Sequence, residues 1–563
     1  MAFVRTLIDR LPAPLTGRIF ALVAGVVAGA LALGVAELVA SFSKGWTSPV
    51  TSVGNLVIDK VPSSVKDLAV RWFDENDKVA LQIGIGVLLA IYAAIVGWVT
   101  LRISRNVGLV GIVLFGLVGA WAAQRDGGLG AIVPSVAGTI VAIGLLLATF
   151  ELARRRAAAH DVDDVIDPVH ATADAGDETD PSDRHATASS SEPKPVALEA
   201  LGMLSVARRD FIGRSGLVLA GSAAAAGGLY AAGQSRRYSA ASSRADVVLP
   251  SAADAAPRIP AGTSFDVEGI TSFITPNETF YRVDTAIDIP QIAADEYELK
   301  ITGYVDEERS YSFDDLLARE LVERDITITC VSNQVGGKLA GTATWLGTPL
   351  MSMLEEAGVQ SKADQIIGRS DDDYACGFPV SAANDGREPL VVVGMNGEPL
   401  PLEHGFPVRL VVPGLYGYVS ATKWLVELEL GRFDEFDHYW LRRGWAQKAP
   451  IKTMSRIDTP RGLASVSGQV NIAGVAWAQT RGIDAVEVQV DDGPWRKAEL
   501  ANALNKNTWR QWRIEWDADK AGGGRHEIRV RATDGTGAIQ TPDRVEPIPD
   551  GASGHHQVVV LVA

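Results

Sequence analysis

The chain has 563 residues, of which 47% are hydrophobic, and a formal net charge of −16. Its mean hydropathy of +0.11 is high for an ordinary soluble chain, so part of it is predicted to lie in a membrane, and its length predicts several domains. The negative charge argues against nucleic acid as a partner, because phosphate binding requires clustered Lys and Arg side chains.

Four apolar runs near the N-terminus are each long enough to cross a membrane as a helix. They cover residues 19–39, 79–101, 107–123 and 129–150. None of the eight histidines lies in these runs, which excludes bis-histidine haem ligation there, and no haem is expected. Arginine clusters beside the runs favour cytoplasmic ends, although the lysine-containing loop after the first run disagrees with that orientation. We therefore predict a four-helix transmembrane region over residues 1–156.

The next segments are predicted to connect this region to an external half. Residues 157–205 are rich in Ala, Asp, Ser and Thr and predict a disordered acidic linker. Arg208-Arg209 then precede an apolar run, so residues 206–235 are predicted to form a fifth transmembrane helix. The paired arginines resemble a twin-arginine export signal, and they also fit a simple cytoplasmic anchor. With five spans, the chain is predicted to be a multi-pass cell-membrane protein whose remainder, after a tether over residues 236–262, lies on the extracytoplasmic side.

Short strands and helices alternate from residue 263 onward. The predicted elements are strands at 297–304, 391–394 and 409–413 and helices at 313–321 and 350–357, the first of these helices being opened by Ser312. This mixture predicts an α+β domain over residues 263–447.

Helical periodicity is absent from the C-terminal segment, residues 448–563. The predicted strands are 466–470, 485–490, 509–516 and 526–532, with turn residues between them. The pattern is typical of a small antiparallel β-sandwich.

One stretch in the α+β region places a cysteine at the start of an Asn- and Gly-rich loop. Residues 326–329 alternate Ile and Thr, which predicts a half-buried strand that ends at Cys330. Gly336-Gly337 would let the backbone turn closely around a bulky partner. A lone cysteine is more often a small buried hydrophobe, so this stretch alone does not establish chemistry. A disulfide to the other cysteine, Cys376, stays open from the sequence.

Two further stretches carry polar residues among apolar strands and turns. His404, Arg409 and Lys423 lie on Gly-rich segments and would suit a ligand with a phosphate group. Taken singly, each of them is better explained as a solvated charge or a satisfied core histidine.

Taken in order, the motifs resemble those of the sulfite-oxidase family of molybdopterin enzymes. The matching set is TPNxxFxxR, C-x-x-N, MNGEPLPxxHGFPxRxVVPGxxG…KWL, GVAW and VEVQVDDGPW, spread over about residues 265–560. The resemblance implies a cofactor domain followed by an immunoglobulin-like dimerisation domain, and Mo-pyranopterin as the cofactor. It implies that Cys330 is the protein's sulfur ligand to molybdenum, and a positive site is expected to lower the pKa of this thiol. An external redox partner, either a cytochrome or a quinone-linked protein, is also implied.

The resemblance also assigns roles to single residues. The cofactor-binding residues implied are Asn333, His404, Arg409, Ser420, Thr422 and Lys423. The catalytic residues implied, besides Cys330, are Arg282, Tyr374, Arg442 and Arg443.

Three positions depart from the family pattern. Val335 stands where the family has Arg, and Val283-Asp284 replace Asn-His after Arg282. Loss of a cation and gain of Asp284 are expected to weaken dianion binding if both positions face the site. For Cys376 we expect a buried structural role.

The prediction for the whole chain is therefore a multidomain, membrane-anchored molybdopterin oxidoreductase. It would transfer an oxygen atom at a Cys-ligated molybdenum centre, acting on a small oxyanion or S-oxide. One alternative is a sulfoxide reductase with a membrane electron donor. Another is a cofactor-free binding or assembly protein.

Overall fold

A computed structural model describes residues 13–43, 46, 48–60, 77–163, 224–231, 239–286 and 288–563. The chain divides into two compact units, Met1–Arg237 and Tyr238–Ala563. The predicted fifth transmembrane helix, its paired arginines and most of the predicted linker lie outside the described residues, apart from a helical stretch over 224–231.

The first unit is built from apolar helices. They are α1 (Ala13–Ala40), α2 (Pro49–Lys60), α3 (Asp77–Arg102), α4 (Arg105–Gly127) and α5 (Val133–Asp163). Four stretches, Arg18–Ala40, Ala80–Arg102, Arg105–Arg125 and Leu129–Glu151, are long and apolar enough to cross a membrane, in agreement with the four predicted runs.

Two details of this unit refine the prediction. Helices α1 and α3 approach each other at Gly25, where a Cβ atom would collide with the carbonyl oxygen of Ala93. Helix α5 continues to Asp163, so residues 157–163 are helical rather than part of a disordered linker. Three consecutive alanines in this stretch favour the helix, since alanine has the highest helix propensity.

The α+β part of the second unit contains two sheets and short helices. Its elements are α6 (Ser239–Asp246), β1 (Glu298–Gly303), β2 (Arg309–Ser312), α7 (Phe313–Leu317), β3 (Val322–Thr329), β4 (Ala340–Pro349), α8 (Leu350–Ala357), β5 (Gln365–Ser370), β6 (Ala375–Pro379), β7 (Leu390–Met395), β8 (Glu398–Pro399), β9 (Arg409–Val411), α9 (Gly417–Ser420) and β10 (Leu425–Gly431). One sheet has the order β2-β1-β10-β5-β6, with β1 and β10 parallel. The other has the order β3-β4-β7-β8, and β9 pairs with β7.

The segment predicted as a tether is packed against this part of the unit. Helix α6 occupies its beginning, and the Arg244 guanidinium donates hydrogen bonds to the carbonyls of Leu400 (2.8 Å) and Pro399 (2.7 Å). The amide of Ala253 donates to the carbonyl of Leu321. These hydrogen bonds to backbone carbonyls cannot be deduced from the composition of the segment. They hold it as an ordered arm rather than a free tether.

The C-terminal part of the second unit contains two further sheets. Its elements are β11 (Met454–Thr459), β12 (Ser465–Val466), β13 (Gln469–Trp477), β14 (Ile483–Val490), β15 (Arg496–Lys497), β16 (Glu499–Leu500), β17 (Arg510–Asp517), α10 (Ala518–Ala521), β18 (Gly524–Asp534) and β19 (His556–Val562). The sheet orders are β11-β13-β17-β16 and β12-β19-β18-β14-β15. Side chains from both sheets share one apolar core that includes Ile472, Val486, Trp512, Ile528 and Val560. Two packed sheets are thus observed whose strands are antiparallel except for the β12–β19 pair, while the immunoglobulin-like topology stays a prediction.

The prediction that the cysteine-bearing strand is half-buried is wrong. Strand β3 is buried on both faces at its end, and the side chain of Thr327 is fully buried. Its hydroxyl accepts a hydrogen bond of 2.7 Å from the amide of Trp509, and Gln479 Nε2 donates to its carbonyl at 2.9 Å. The C-terminal part of the chain therefore covers the polar face of the strand and fixes the position of the loop that follows.

Candidate active site

Cys330 begins a tight loop at the end of β3. Its amide donates to the carbonyl of Leu339 (3.0 Å), and its carbonyl accepts from the amide of Asn333 (3.1 Å). Its Sγ lies 2.9 Å from the hydroxyl oxygen of Ser332. The side chain is 7% exposed, so the thiol sits at a fixed and sheltered position.

The glycine pair after Cys330 packs against the protein itself. Gly336 has φ +82°, and a Cβ there would collide with the ring of His556 on β19. A Cβ at Gly337 would collide with Oδ1 of Asn333, which accepts a hydrogen bond from the amide of Leu339 (2.9 Å). The bulky group that packs against Gly336 is thus the ring of His556, a residue of the protein itself. Asn333 shapes the loop, and its side chain does not line the cleft described next.

A cleft of about 710 Å³, including the open space at its mouth, lies beside the thiol. Five of the predicted site residues line this cleft together: Cys330, Tyr374, His404, Arg409 and Lys423. They come from separate loops and from strand β9, and the fold brings them to one wall. This convergence is what the ordered motifs predicted.

Arg409 is a buried cation with unused hydrogen-bonding capacity. It is 4% exposed, its Nη1 donates to the carbonyl of His404 (3.1 Å), and its guanidinium carbon lies 5.0 Å from the ring centre of Trp345. Its Nε has no hydrogen-bond partner. Burial lowers the pKa of Arg409 to about 10, because the charged form has lost its water. An unpaired buried donor on a cation is a position that an anionic group would satisfy.

Lys423 lies on the same wall and is held by a carboxylate. Its Nζ donates to Oδ2 of Asp284 (2.5 Å) and to the carbonyl of Glu403 (3.1 Å). Burial lowers its pKa to about 8, although the charge of Asp284 acts in the opposite direction. Asp284 also accepts from Nε of Arg282 (2.8 Å). Asp284 therefore faces the cleft, whereas Val335 is buried and does not line it.

His404 is neutral in this environment. It is 2% exposed, and its Nε2 donates to the carbonyl of Asn277 (3.1 Å). Burial, followed by the charge of Arg409, lowers its pKa to about 4 from 6.5. At neutral pH it thus orients its neighbours without adding a charge.

Acid is expected to destabilise the second unit through this histidine. Between pH 6.5 and pH 4 the unfolded chain binds a proton at residue 404 that the folded chain does not, so the free energy of unfolding falls as the pH drops through this window, by up to about 3 kcal/mol. His404→Gln should therefore show a smaller fall in Tm between pH 7 and pH 4.5 than the wild type. Equal falls in Tm for the two proteins would contradict a buried neutral histidine.

The thiol itself departs from the expected protonation behaviour. Burial raises the pKa of Cys330, and the nearby hydroxyl of Ser332 and charge of Lys423 oppose that change only in part. The expectation that the positive site lowers this pKa is therefore wrong for the protein groups alone. A thiol that loses its proton only when it binds a metal fits the general coupling of metal binding to proton release.

The predicted catalytic residues divide into two groups. Tyr374 lines the cleft, and its hydroxyl donates to the carbonyl of Tyr418 (2.6 Å). Arg442 and Arg443 lie on a short turn and do not line the cleft, and the guanidinium of Arg443 packs over the ring of Tyr439 at 3.5 Å. Arg282 does not line the cleft itself, but it donates a hydrogen bond to Asp284, which does.

The remaining predicted residues stand behind the cleft wall. The Ser420 hydroxyl donates to the carbonyl of Tyr416 (3.1 Å), and Thr422 Oγ1 lies 3.2 Å from Sγ of Cys376. Both cysteines are free, so no disulfide joins them. Cys376 is buried, as expected, and burial raises its pKa to about 11.

Several residues that line the cleft were not predicted from the sequence, and three of them stand next to predicted positions. These are Tyr281, Asp372 and Trp440. Each adjoins a residue or motif that was singled out: Tyr281 precedes Arg282, Asp372 lies two positions before Tyr374, and Trp440 precedes the arginine pair. Their position next to predicted residues was the only signal in the sequence. The sequence does not show which neighbour of a predicted residue faces the cleft.

Part of the second unit is similar to known proteins. Residues 286–440 match the family model of the oxidoreductase molybdopterin binding domain. The chain is 30% identical to mitochondrial sulfite oxidase of Homo sapiens over 325 residues, 49% of this chain and 59% of that protein, and 26% identical to sulfite oxidase of Gallus gallus over 328 residues, 70% of that protein. The match thus spans less than two thirds of the human protein. Among solved structures, the sulfane dehydrogenase SoxCD from Paracoccus pantotrophus overlaps 52% of this chain and 82% of that chain at 22% identity, with a TM-score of 0.45.

The fold, the cleft and the family match together define a molybdopterin-binding oxidoreductase domain. This part of the chain is similar to sulfite oxidases, and the prediction of molybdopterin as the cofactor is confirmed. The buried donor on Arg409 and the two buried cations of the cleft fit a cofactor that carries a phosphate group.

Proposed function

We propose that this chain is a membrane-anchored molybdopterin-dependent oxidoreductase that transfers an oxygen atom to or from a small oxyanion or S-oxide. Molybdenum would be ligated by Cys330. The observation that carries the proposal is the placement of one sheltered thiol, the buried cation Arg409 and Lys423, whose side chain is 10% exposed, in the same cleft.

The residues of the cleft would divide the work of holding the cofactor. Arg409 offers a planar fork to a phosphate, and Lys423 offers a point charge. His404 orients the Arg409 fork through its carbonyl. Asn333, Ser420 and Thr422 would contribute through the backbone that their side chains hold in place, since those side chains are already engaged within the protein. When bound, the cofactor supplies the two-electron redox change and the oxygen transfer.

The rest of the chain would supply location and partners. The four apolar helices would anchor the protein in the membrane, with the second unit on the extracytoplasmic side and Arg208-Arg209 as its export signal. The two C-terminal sheets would form an immunoglobulin-like domain through which two copies pair. Electrons would pass one at a time to or from an external cytochrome or quinone-linked protein.

The metal content of the purified chain tests this proposal. We expect about one molybdenum per chain by mass spectrometry when the full chain is expressed in a cofactor-producing host and purified in detergent. The same host must load a control molybdenum enzyme normally. Essentially no molybdenum under those conditions would overturn the proposal and favour a cofactor-free binding protein.

A further inference from the structure

A carboxylate ties together two cations beside the cleft. The Asp284 side chain is 5% exposed and bridges Arg282, at 2.8 and 3.4 Å, and Lys423, at 2.5 Å. Both Nε and Nη2 of Arg282 point to this one carboxylate. The Nε–Nη2 edge of Arg282, which could otherwise bind an oxyanion in a bidentate way, is therefore occupied by Asp284.

The charges that line the cleft balance one another. The cations are Arg409 and Lys423, and the carboxylates are Asp284 and Asp372. His404 adds no charge at neutral pH. Arg282 pairs with Asp284 without lining the cleft, so three positive and two negative side chains leave one surplus positive charge. A cofactor phosphate would neutralise that charge, which leaves no cation for a doubly charged substrate.

The rest of the lining is largely aromatic or apolar. Val283, which stands between Arg282 and Asp284 in the sequence, is 43% exposed and lines the cleft. Tyr374, Tyr418 and Trp440 line it as well. Such a surface favours a substrate with apolar groups, because contact with it releases water without leaving a charge unpaired.

We propose that Asp284 is a specificity-determining residue that excludes dianions and admits uncharged substrates such as S-oxides. This inference rests on the proposed function and narrows its substrate class. A dianion that entered the cleft would meet a buried carboxylate and two cations already committed to it, and like charges that face each other in a site disfavour binding strongly. An uncharged sulfoxide meets no such repulsion.

Sulfate is a suitable probe because it is dianionic and unreactive. Its binding can be measured by calorimetry on the detergent-solubilised full chain at pH 6, where Lys423 keeps its proton. We expect weak sulfate binding to the wild type and binding that is about tenfold tighter to Asp284→Asn. Asp284→His, which restores the third residue of the family's Arg-Asn-His run, serves as a second variant if the first does not fold. Binding of dimethyl sulfoxide should change little in either variant.

Asp373→Asn provides the matched control. It removes the same charge from the loop that carries Asp372, but residue 373 does not line the cleft. Sulfate binding to this control should equal that of the wild type. Sulfate binding that is no tighter to Asp284→Asn and Asp284→His than to the control would overturn the inference. Absence of molybdenum from the wild type would overturn the proposed function alone, since the sulfate comparison uses the same chains whatever their metal content.

Discussion

Cys330→Ser is expected to abolish oxygen-transfer activity while the fold survives. The thiol is buried next to the hydroxyl of Ser332, and serine is close to it in size, so the loop can keep its backbone hydrogen bonds. A serine hydroxyl is a harder and far less acidic ligand than a thiolate, and it is poorly suited to a metal that is already bound by sulfur. We expect turnover to fall by about 10³-fold or more, the scale on which loss of a reacting group acts in other enzymes.

The second cysteine offers a matched control for this experiment. Cys376 is also buried, and its Sγ contacts Thr422, but it lies behind the cleft wall. Cys376→Ser should therefore keep both its activity and the number of sulfur neighbours of molybdenum measured by X-ray absorption, whereas Cys330→Ser should lose one sulfur neighbour. Full activity of Cys330→Ser would reject the assignment of this thiol as the metal ligand.

Local patterns predicted much of the fold because they depend on neighbours in the chain. Helix α8 spans Leu350–Ala357 as predicted, since its apolar spacing is set within two turns. The helix opened by Ser312 is present with a capping box to Asp315, but it ends at Leu317. Alternation over residues 326–329 predicted the strand correctly and its burial wrongly, because the cover over Thr327 comes from Trp509, far along the chain.

The sequence predicts the site residues that belong to recognisable motifs. It does not predict which other residues the folded chain places in the lining of the cleft. His404, Arg409 and Lys423 converge as their motifs implied. The thiol of Cys330 has a raised pKa because burial outweighs the nearby cations, and burial of a single loop residue cannot be deduced from its neighbours. Asp284 shows the same limit most clearly. Its effect on anion binding depends on whether its side chain faces the cleft, which only the folded structure shows.

Arg409→Met is expected to have opposite effects on cofactor retention and on the stability of the cofactor-free protein. Methionine fills much of the space of the arginine stem without a charge. Loss of a charge-assisted fork to phosphate should weaken retention by about 10- to 100-fold, from about 1.5–3 kcal/mol of binding free energy. In cofactor-free protein the same change removes a buried cation whose Nε has no partner, so the Tm should stay level or rise.

Arg510→Met separates this behaviour from the loss of any buried arginine. Arg510 is also desolvated, with a lowered pKa, but both of its hydrogen bonds, to the carbonyls of Ala501 (2.7 Å) and Ile483 (2.8 Å), stabilise the C-terminal sheets. Its replacement should lower Tm with and without cofactor and leave the molybdenum content of the folded protein unchanged. Arg409→Met should instead lose the rise in Tm that cofactor binding gives the wild type, because a ligand that binds only the folded state stabilises it in proportion to its affinity. Unchanged molybdenum content in Arg409→Met, or a fall in the Tm of its cofactor-free form as large as that of Arg510→Met, would make Arg409 a structural residue rather than a cofactor ligand.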